Sequence, residues 1–204
     1  MSDAAAPAAS PGIDQLFPWQ GAAPGDLELA CTQIARRLIA SGRKAIGFAP
    51  SPGSGDLLPL LVRLGAALYP FQERQVAVVP DFKAWNVPPS ETRRLGIDEH
   101  GPSVRPLPGA AGPTLLVPPP CPDAETAALS LQLALRRADG KYPQVLIDLS
   151  SLAGVDAVDL VAAARLCDGV AVVGTRGRTM VSALRRTAGR TPSDKSLGVL
   201  LIGD

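Results

Sequence analysis

The chain has 204 residues, room for one domain and a tail. Hydrophobic residues make up 46% and aromatics only 4%, so its core must be built from Leu, Val, Ile and Ala. A formal net charge of +1 gives no electrostatic basis for binding nucleic acid or an anionic membrane, and no apolar run reaches the ~18–20 residues that span a bilayer.

Cys31, Cys121 and Cys167 are widely spaced and form no CxxC pair. The N-terminus lacks the basic-then-apolar pattern of a secretory signal. Reduced, buried thiols and a cytoplasmic location are expected. The single His100 argues against a histidine-rich metal site, and no metal ligand set is assigned.

Residues 1–25 are rich in Ala, Pro, Gly and Ser. Such side chains bury too little area to offset the entropy of ordering, which predicts a disordered tail ahead of a domain at 26–204. Leu16, Phe17 and Trp19 interrupt the tail. They either dock on the chain's own domain or form a short linear motif for a partner.

Asp26 can cap a helix through about Ala40, with Leu27, Ile34 and Leu38 on one face. Lys44–Ala49 reads as a short buried strand and Leu57–Tyr69 as the next helix. Val76–Val79 and Thr114–Val117 read as strands, with an irregular surface excursion over 80–113 and one short helix near Ser90–Leu95. Asp123 caps a helix to about Asp139, followed by a strand at Val145–Leu149 and a helix at Asp156–Cys167. A strand at Gly169–Val173, a helix at Thr179–Ala188 and a strand at Gly198–Ile202 complete the chain. Continuous Val/Ile/Leu strands separated by amphipathic helices predict an α/β fold: a doubly wound, mostly parallel sheet with helices on both faces.

Between the first of these strands and its helix lies Pro50-Ser-Pro-Gly-Ser-Gly-Asp-Leu57. A phosphate-binding loop reads Gly-x-x-x-x-Gly-Lys-Ser/Thr, where backbone N–H groups cradle the anion, the lysine meets the β- and γ-phosphates and the hydroxyl holds magnesium. Gly53 and Gly55 keep the frame. Asp56 and Leu57 stand where the lysine and the hydroxyl would be, Pro50 stands at the first glycine, and Pro52 removes one backbone N–H. Read simply as a strand-to-helix turn, the same residues make Asp56 a helix cap.

Four segments together resemble the cytoplasmic domain of bacterial tyrosine kinases, the polysaccharide co-polymerase kinases, within the MinD/ParA group of P-loop ATPases. They are KAIGFAPSPGSGDLLPLLVRLGAAL (44–68), LVPPPCPDAETAAL (116–129), YPQVLIDLSSLAGVDAVDLV (142–161), and CDGVAVVGTRGRTMVSALRRT (167–187) with LGVLLIG (197–203). The resemblance spans about Leu27 to Asp204 and implies a P-loop NTPase-like fold. The departures from the family fall at its chemical positions. Asp56 and Leu57 replace the lysine and hydroxyl. Of the second acidic motif, Asp81 remains beside Pro80. The third keeps Asp148, followed by Ser150 and Ser151 in place of prolines. Ile202 stands where an Asn often contacts the base. Cys31 and Ile34 occupy the arginine positions of an oligomer-contact motif starting at Glu28. The C-terminal tyrosine cluster is missing, the only tyrosines being Tyr69 and Tyr142.

These losses lead to the expectation of a catalytically inactive module that carries no catalytic residue and needs no cofactor. By the resemblance, its setting is bacterial exopolysaccharide synthesis or export, or spatial organisation. Its partners would be proteins, such as a membrane-associated polysaccharide assembly or a related ATPase, in a homo- or hetero-oligomer, without nucleic acid or membrane insertion. The alternative is an ATP- and magnesium-binding enzyme in which Arg176 replaces the lost lysine. Asp148 then either binds magnesium through water or is a relic carboxylate satisfied by backbone N–H groups and serine hydroxyls.

Overall fold

The computed structural model describes residues 24–81, 103–107, 112–118, 124–152 and 157–203. In chain order the elements are α1 (Pro24–Ala40), β1 (Ala45–Pro50), α2 (Leu58–Gln72), β2 (Ala77–Val79), β3 (Ser103–Pro106), β4 (Thr114–Val117), α3 (Ala124–Ala138), β5 (Val145–Asp148), α4 (Ala157–Leu166), β6 (Gly169–Thr175), α5 (Val181–Gly189), a 3-10 turn (Ser193–Lys195) and β7 (Ser196–Ile202). The strands form one sheet in the order β3-β4-β2-β5-β1-β6-β7. Every pair is parallel except β3 with β4. This is the doubly wound α/β arrangement that the alternating pattern predicts.

The physical reason lies in the strands. All of β2, β4, β5 and β6 is buried, as are the four inner residues of β1. A strand covered on both faces carries an unbroken apolar run, and parallel pairing puts the crossover helices on those faces. Alternate residues then feed two cores. Ile46 and Phe48 of β1 join Ala35 and Leu38 of α1 and Leu61, Leu64 and Leu68 of α2. On the other face, Ala49 and Ile147 join Leu131 and Ala134 of α3 and Leu160 and Ala164 of α4. Gly47 is fixed by this packing, because a Cβ there would stand 2.6 Å from Leu149 Cδ1 and 3.0 Å from Cys167 Sγ.

Several boundaries differ from the sequence expectation. Helix α1 starts at Pro24, ahead of Asp26. Helix α2 starts after Leu57 and continues through Pro70 to Gln72, where Glu73 adopts a left-handed φ of 52°. Helix α5 starts at Val181, not Thr179, because the Thr179 Oγ1 accepts the Thr175 N–H at 2.8 Å and closes a turn. The stretch 80–113 is not wholly irregular: Ser103–Pro106 forms β3, an antiparallel edge strand. Four residues ending in proline carry no strand signal of their own, and an edge position is where such a strand is tolerated. Of the tail expected over 1–25, Pro24 and Gly25 belong to α1 instead; residues 1–23, the helix near Ser90–Leu95 and the Asp123 cap lie outside the described residues.

Candidate functional site

Strand β1 lies between β5 and β6, so its loop opens among their C-terminal ends. Ligands of open α/β sheets bind at this edge. The loop from Pro50 to Leu57 is held tightly. The Ser51 N–H donates to Val173 O at 2.7 Å and the Ser54 N–H to Ser51 O at 3.0 Å. The Ser54 hydroxyl lies 2.6 Å from Ser51 O and 2.8 Å from Val173 O. The Thr175 hydroxyl donates to Ser54 O at 3.2 Å. Gly53 and Gly55 have φ of 91° and 73°, which explains glycine at both places. Ser54 and Thr175 carry no catalytic signature in the sequence, yet they fix the shape of the loop.

Asp56 and Leu57 are both used by the fold. The Asp56 Oδ1 accepts the Leu58 N–H at 2.9 Å, an i to i+2 turn that satisfies the first amide of α2. Pro59 follows and has no N–H to offer. Leu57 is 0% exposed and belongs to the core beneath the loop. A nucleotide phosphate would therefore meet a carboxylate at the helix start, and the position of the magnesium-binding hydroxyl holds an inward aliphatic chain. The phosphate side of the site does not fit Mg-ATP.

The acidic side is better preserved. Asp148 ends β5 and is 1% exposed. Its Oδ1 accepts both the backbone N–H, at 2.9 Å, and the hydroxyl of Ser150. Asp81, whose register is ambiguous in the sequence, lies beside it: Asp81 Oδ1 accepts the N–H of Ser151, at 2.9 Å, and its hydroxyl. Ser150 and Ser151 thus tie both carboxylates to one turn. Burial pushes the Asp148 carboxyl up to about 7, against the Ser150 hydrogen bonds, and the charges of Asp81 and Asp56 push the same way. The Ser150 N–H and hydroxyl are donors of the kind expected for a relic carboxylate at Asp148. Asp148 Oδ2 and the Ser51 hydroxyl are buried, with no hydrogen-bond partner among the described residues. Among the described residues no group of three or more His, Cys, Asp or Glu is arranged to hold a metal ion.

Arg176 follows β6 at the same sheet edge, exposed, with its N–H donating to Ile202 O at 2.8 Å. A Cβ on Gly53 would lie 3.4 Å from Arg178 O, so the 176–179 turn packs against the phosphate-type loop. Lys44 immediately precedes β1, at the opposite edge, its N–H donating to Asp168 Oδ2. The structure thus brings together Gly53, Asp56, Asp81, Asp148 and the turn carrying Arg176. Ile202 is on β7, packed against the core of α1 and α2. Cys31 and Cys167 are buried free thiols, and Cys121 lies outside the described residues. No described helix is long and apolar enough to cross a membrane.

The fold is the doubly wound α/β arrangement of P-loop NTPase-like domains, with Asp56 and Leu57 at the end of its first strand-to-helix loop. Among solved structures this domain is similar to bacterial tyrosine kinase domains. The BceF tyrosine kinase domain superposes with a TM-score of 0.63 at 17% identity, covering 88% of this chain and 76% of that one. The VpsO kinase domain gives 0.58 at 17%, covering 89% and 100%. The kinase domain of Escherichia coli tyrosine kinase ETK gives 0.61 at 14%, covering 87% and 74%. No protein-family model and no curated protein matches the chain.

Proposed function

We propose that this chain is a catalytically inactive domain on the tyrosine-kinase frame, acting as a protein-interaction or regulatory module. The observation that carries the reading is the start of α2, where the Asp56 carboxylate takes the Leu58 N–H and Leu57 is buried in the core. A unit charge pair at ~4 Å and an effective dielectric of ~20 is worth about 4 kcal/mol. Exchanging a lysine's attraction for a carboxylate's repulsion therefore weakens phosphate binding by several kcal/mol. The resemblance to polysaccharide co-polymerase kinases supports a role in bacterial exopolysaccharide synthesis or export, in the cytoplasm, beside a membrane-associated assembly or a related ATPase. Spatial organisation of the MinD/ParA kind is the other setting it supports.

A second reading, ATP binding with Arg176 supplying the missing charge, is favoured by the packing of the 176–179 turn on Gly53 and by the Asp148 Oδ2, which has no partner among the described residues. Thermal melting with magnesium and ATP separates the two. A ligand at 100 times its dissociation constant stabilises by about 2.7 kcal/mol. The module reading expects no shift at millimolar ATP. A shift that Arg176→Ala abolishes would replace it with the second reading.

A further inference from the structure

The two edges of the sheet are built differently. At one, β3 has four residues, among them Arg105 and Pro106, a charge and a missing N–H of the kind that discourages strand pairing. At the other, β7 has seven residues with neither charge nor proline. A bulge near its start coincides with Gly198, whose φ is 96°, and from Val199 to Ile202 the register with β6 is regular. The Arg176 N–H donates to Ile202 O, which turns the main chain of Ile202 and Leu200 toward β6. The N–H and C=O of successive residues point to opposite sides of a strand, so those of Val199 and Leu201 face outward from the sheet edge. The side chains of both are exposed as well, at 51% and 57%. They lie on the face covered by α5: Leu201 pairs with Gly174, where a Cβ would stand 2.7 Å from Leu184 Cδ2. The stretch that carries this helix is basic. Residues 169–193 hold Arg176, Arg178, Arg185, Arg186 and Arg190 and no Asp or Glu.

We propose that the β7 edge binds an extended peptide segment of another protein in which acidic and apolar residues alternate, added to the sheet as one more strand. The outward N–H and C=O groups of Val199 and Leu201 bond its main chain. Side chains of an added strand alternate between the two faces. On the α5 face its carboxylates meet the basic helix, of which Arg185 and Arg186 are exposed. On the other face its apolar side chains meet Leu200 and Ile202, which rest against the core of α1 and α2. Asp26 stands beside Ile202 on that face and disfavours an acid there. A membrane surface would match the arginines but offers no strand to pair with Val199 and Leu201. A second copy paired antiparallel about a two-fold axis would set two α5 helices on one sheet face and bring like charges together. The partner is therefore acidic and extended. This edge gives the interaction-module reading its contact and rests on that reading, but it involves no residue of the Pro50–Leu57 loop.

The test titrates the full chain into a fluorescein-labelled peptide of alternating Glu and Val, with a block-order peptide of the same composition and a Lys-for-Glu peptide beside it. Anisotropy should show saturable binding of the alternating peptide, weakened severalfold by high salt, and none of the lysine peptide. The block-order peptide cannot put its acids on one face and should bind about tenfold more weakly. Hydrogen exchange of the Val199 and Leu201 amides should slow on binding. Leu201→Pro deletes one outward N–H at a position an edge strand tolerates, and should weaken binding about tenfold with circular dichroism unchanged. Should that variant not fold, Arg185→Glu with Arg186→Glu, both exposed, should weaken binding as much. Absence of binding at millimolar peptide, equal binding of the block-order peptide, or binding that neither substitution weakens would overturn the proposal. Protection of the two amides that grows with protein concentration in the absence of peptide would overturn it in favour of a second copy. Co-sedimentation with phosphatidylserine vesicles that the peptide does not displace would overturn it in favour of a membrane. The melting test with ATP reads the loop alone, so failure here and failure of the inactive-loop reading are told apart.

Discussion

The Asp148 carboxyl is buried at the centre of the site, and replacing it with asparagine tests the account of that environment directly. Asparagine keeps an oxygen for the two Ser150 donors and removes the ionisation. The ordinary carboxyl value is 3.8 and burial raises it to about 7 in the folded chain. The folded state therefore holds a proton that the unfolded state has already released across this window. Stability contributed by this group falls as pH rises from about 4 to about 7, the opposite of a salt-bridged aspartate. Integrated between pH 5 and pH 8, the loss is roughly 2.5 kcal/mol. Asparagine does not titrate, and its buried amide without a partner costs about 1–3 kcal/mol at every pH. Urea unfolding of both proteins at pH 5 and pH 8 gives the comparison. The difference in stability between Asp148→Asn and the starting chain should move in favour of asparagine by roughly 2.5 kcal/mol on going to pH 8. A difference that is the same at both pH values would refute the reasoning, and would mean that the carboxylate is solvated or has a cation partner.

Two further substitutions probe the frame. Gly47→Ala drives a methyl into Leu149 and Cys167 between β1 and α4. It should cost about 1–3 kcal/mol in denaturant unfolding. Restoring a phosphate-type loop by Asp56→Lys with Leu57→Ser should be expensive, because Leu57 is 0% exposed. The Leu57→Ser step alone should cost about 2–5 kcal/mol. Asp56→Lys alone loses only a helix-start bond, worth about 0.5–2 kcal/mol. Asp56→Lys is therefore the cleaner variant in which to look for an ATP-dependent rise in melting temperature.

The sequence by itself determined the layered α/β architecture. Buried parallel strands require runs such as Ile46–Ala49, Val145–Ile147 and Val170–Val173, and helices packed on a sheet require one apolar stripe; both signals are local and periodic. The glycines at 53 and 55 marked the tight turn after β1 for an equally local reason, their positive φ. That Asp56 and Leu57 stand where a phosphate-binding loop carries lysine and a hydroxyl was legible from residue type alone. Tertiary structure decided what the replacements do. Only the packing of α2 shows that Leu57 points into the core and Asp56 turns back to its own helix. Only the pairing of β2 with β5 brings Asp81 and Asp148 to one Ser150–Ser151 turn, across 66 intervening positions that no local pattern spans. The edge strand β3 likewise depends on its neighbour, since hydrogen bonds to β4, not its own composition, hold Ser103–Pro106 extended. Periodicity reports which side of an element is buried, whereas a site is made by residues far apart in the chain, and their meeting is fixed only when the sheet closes.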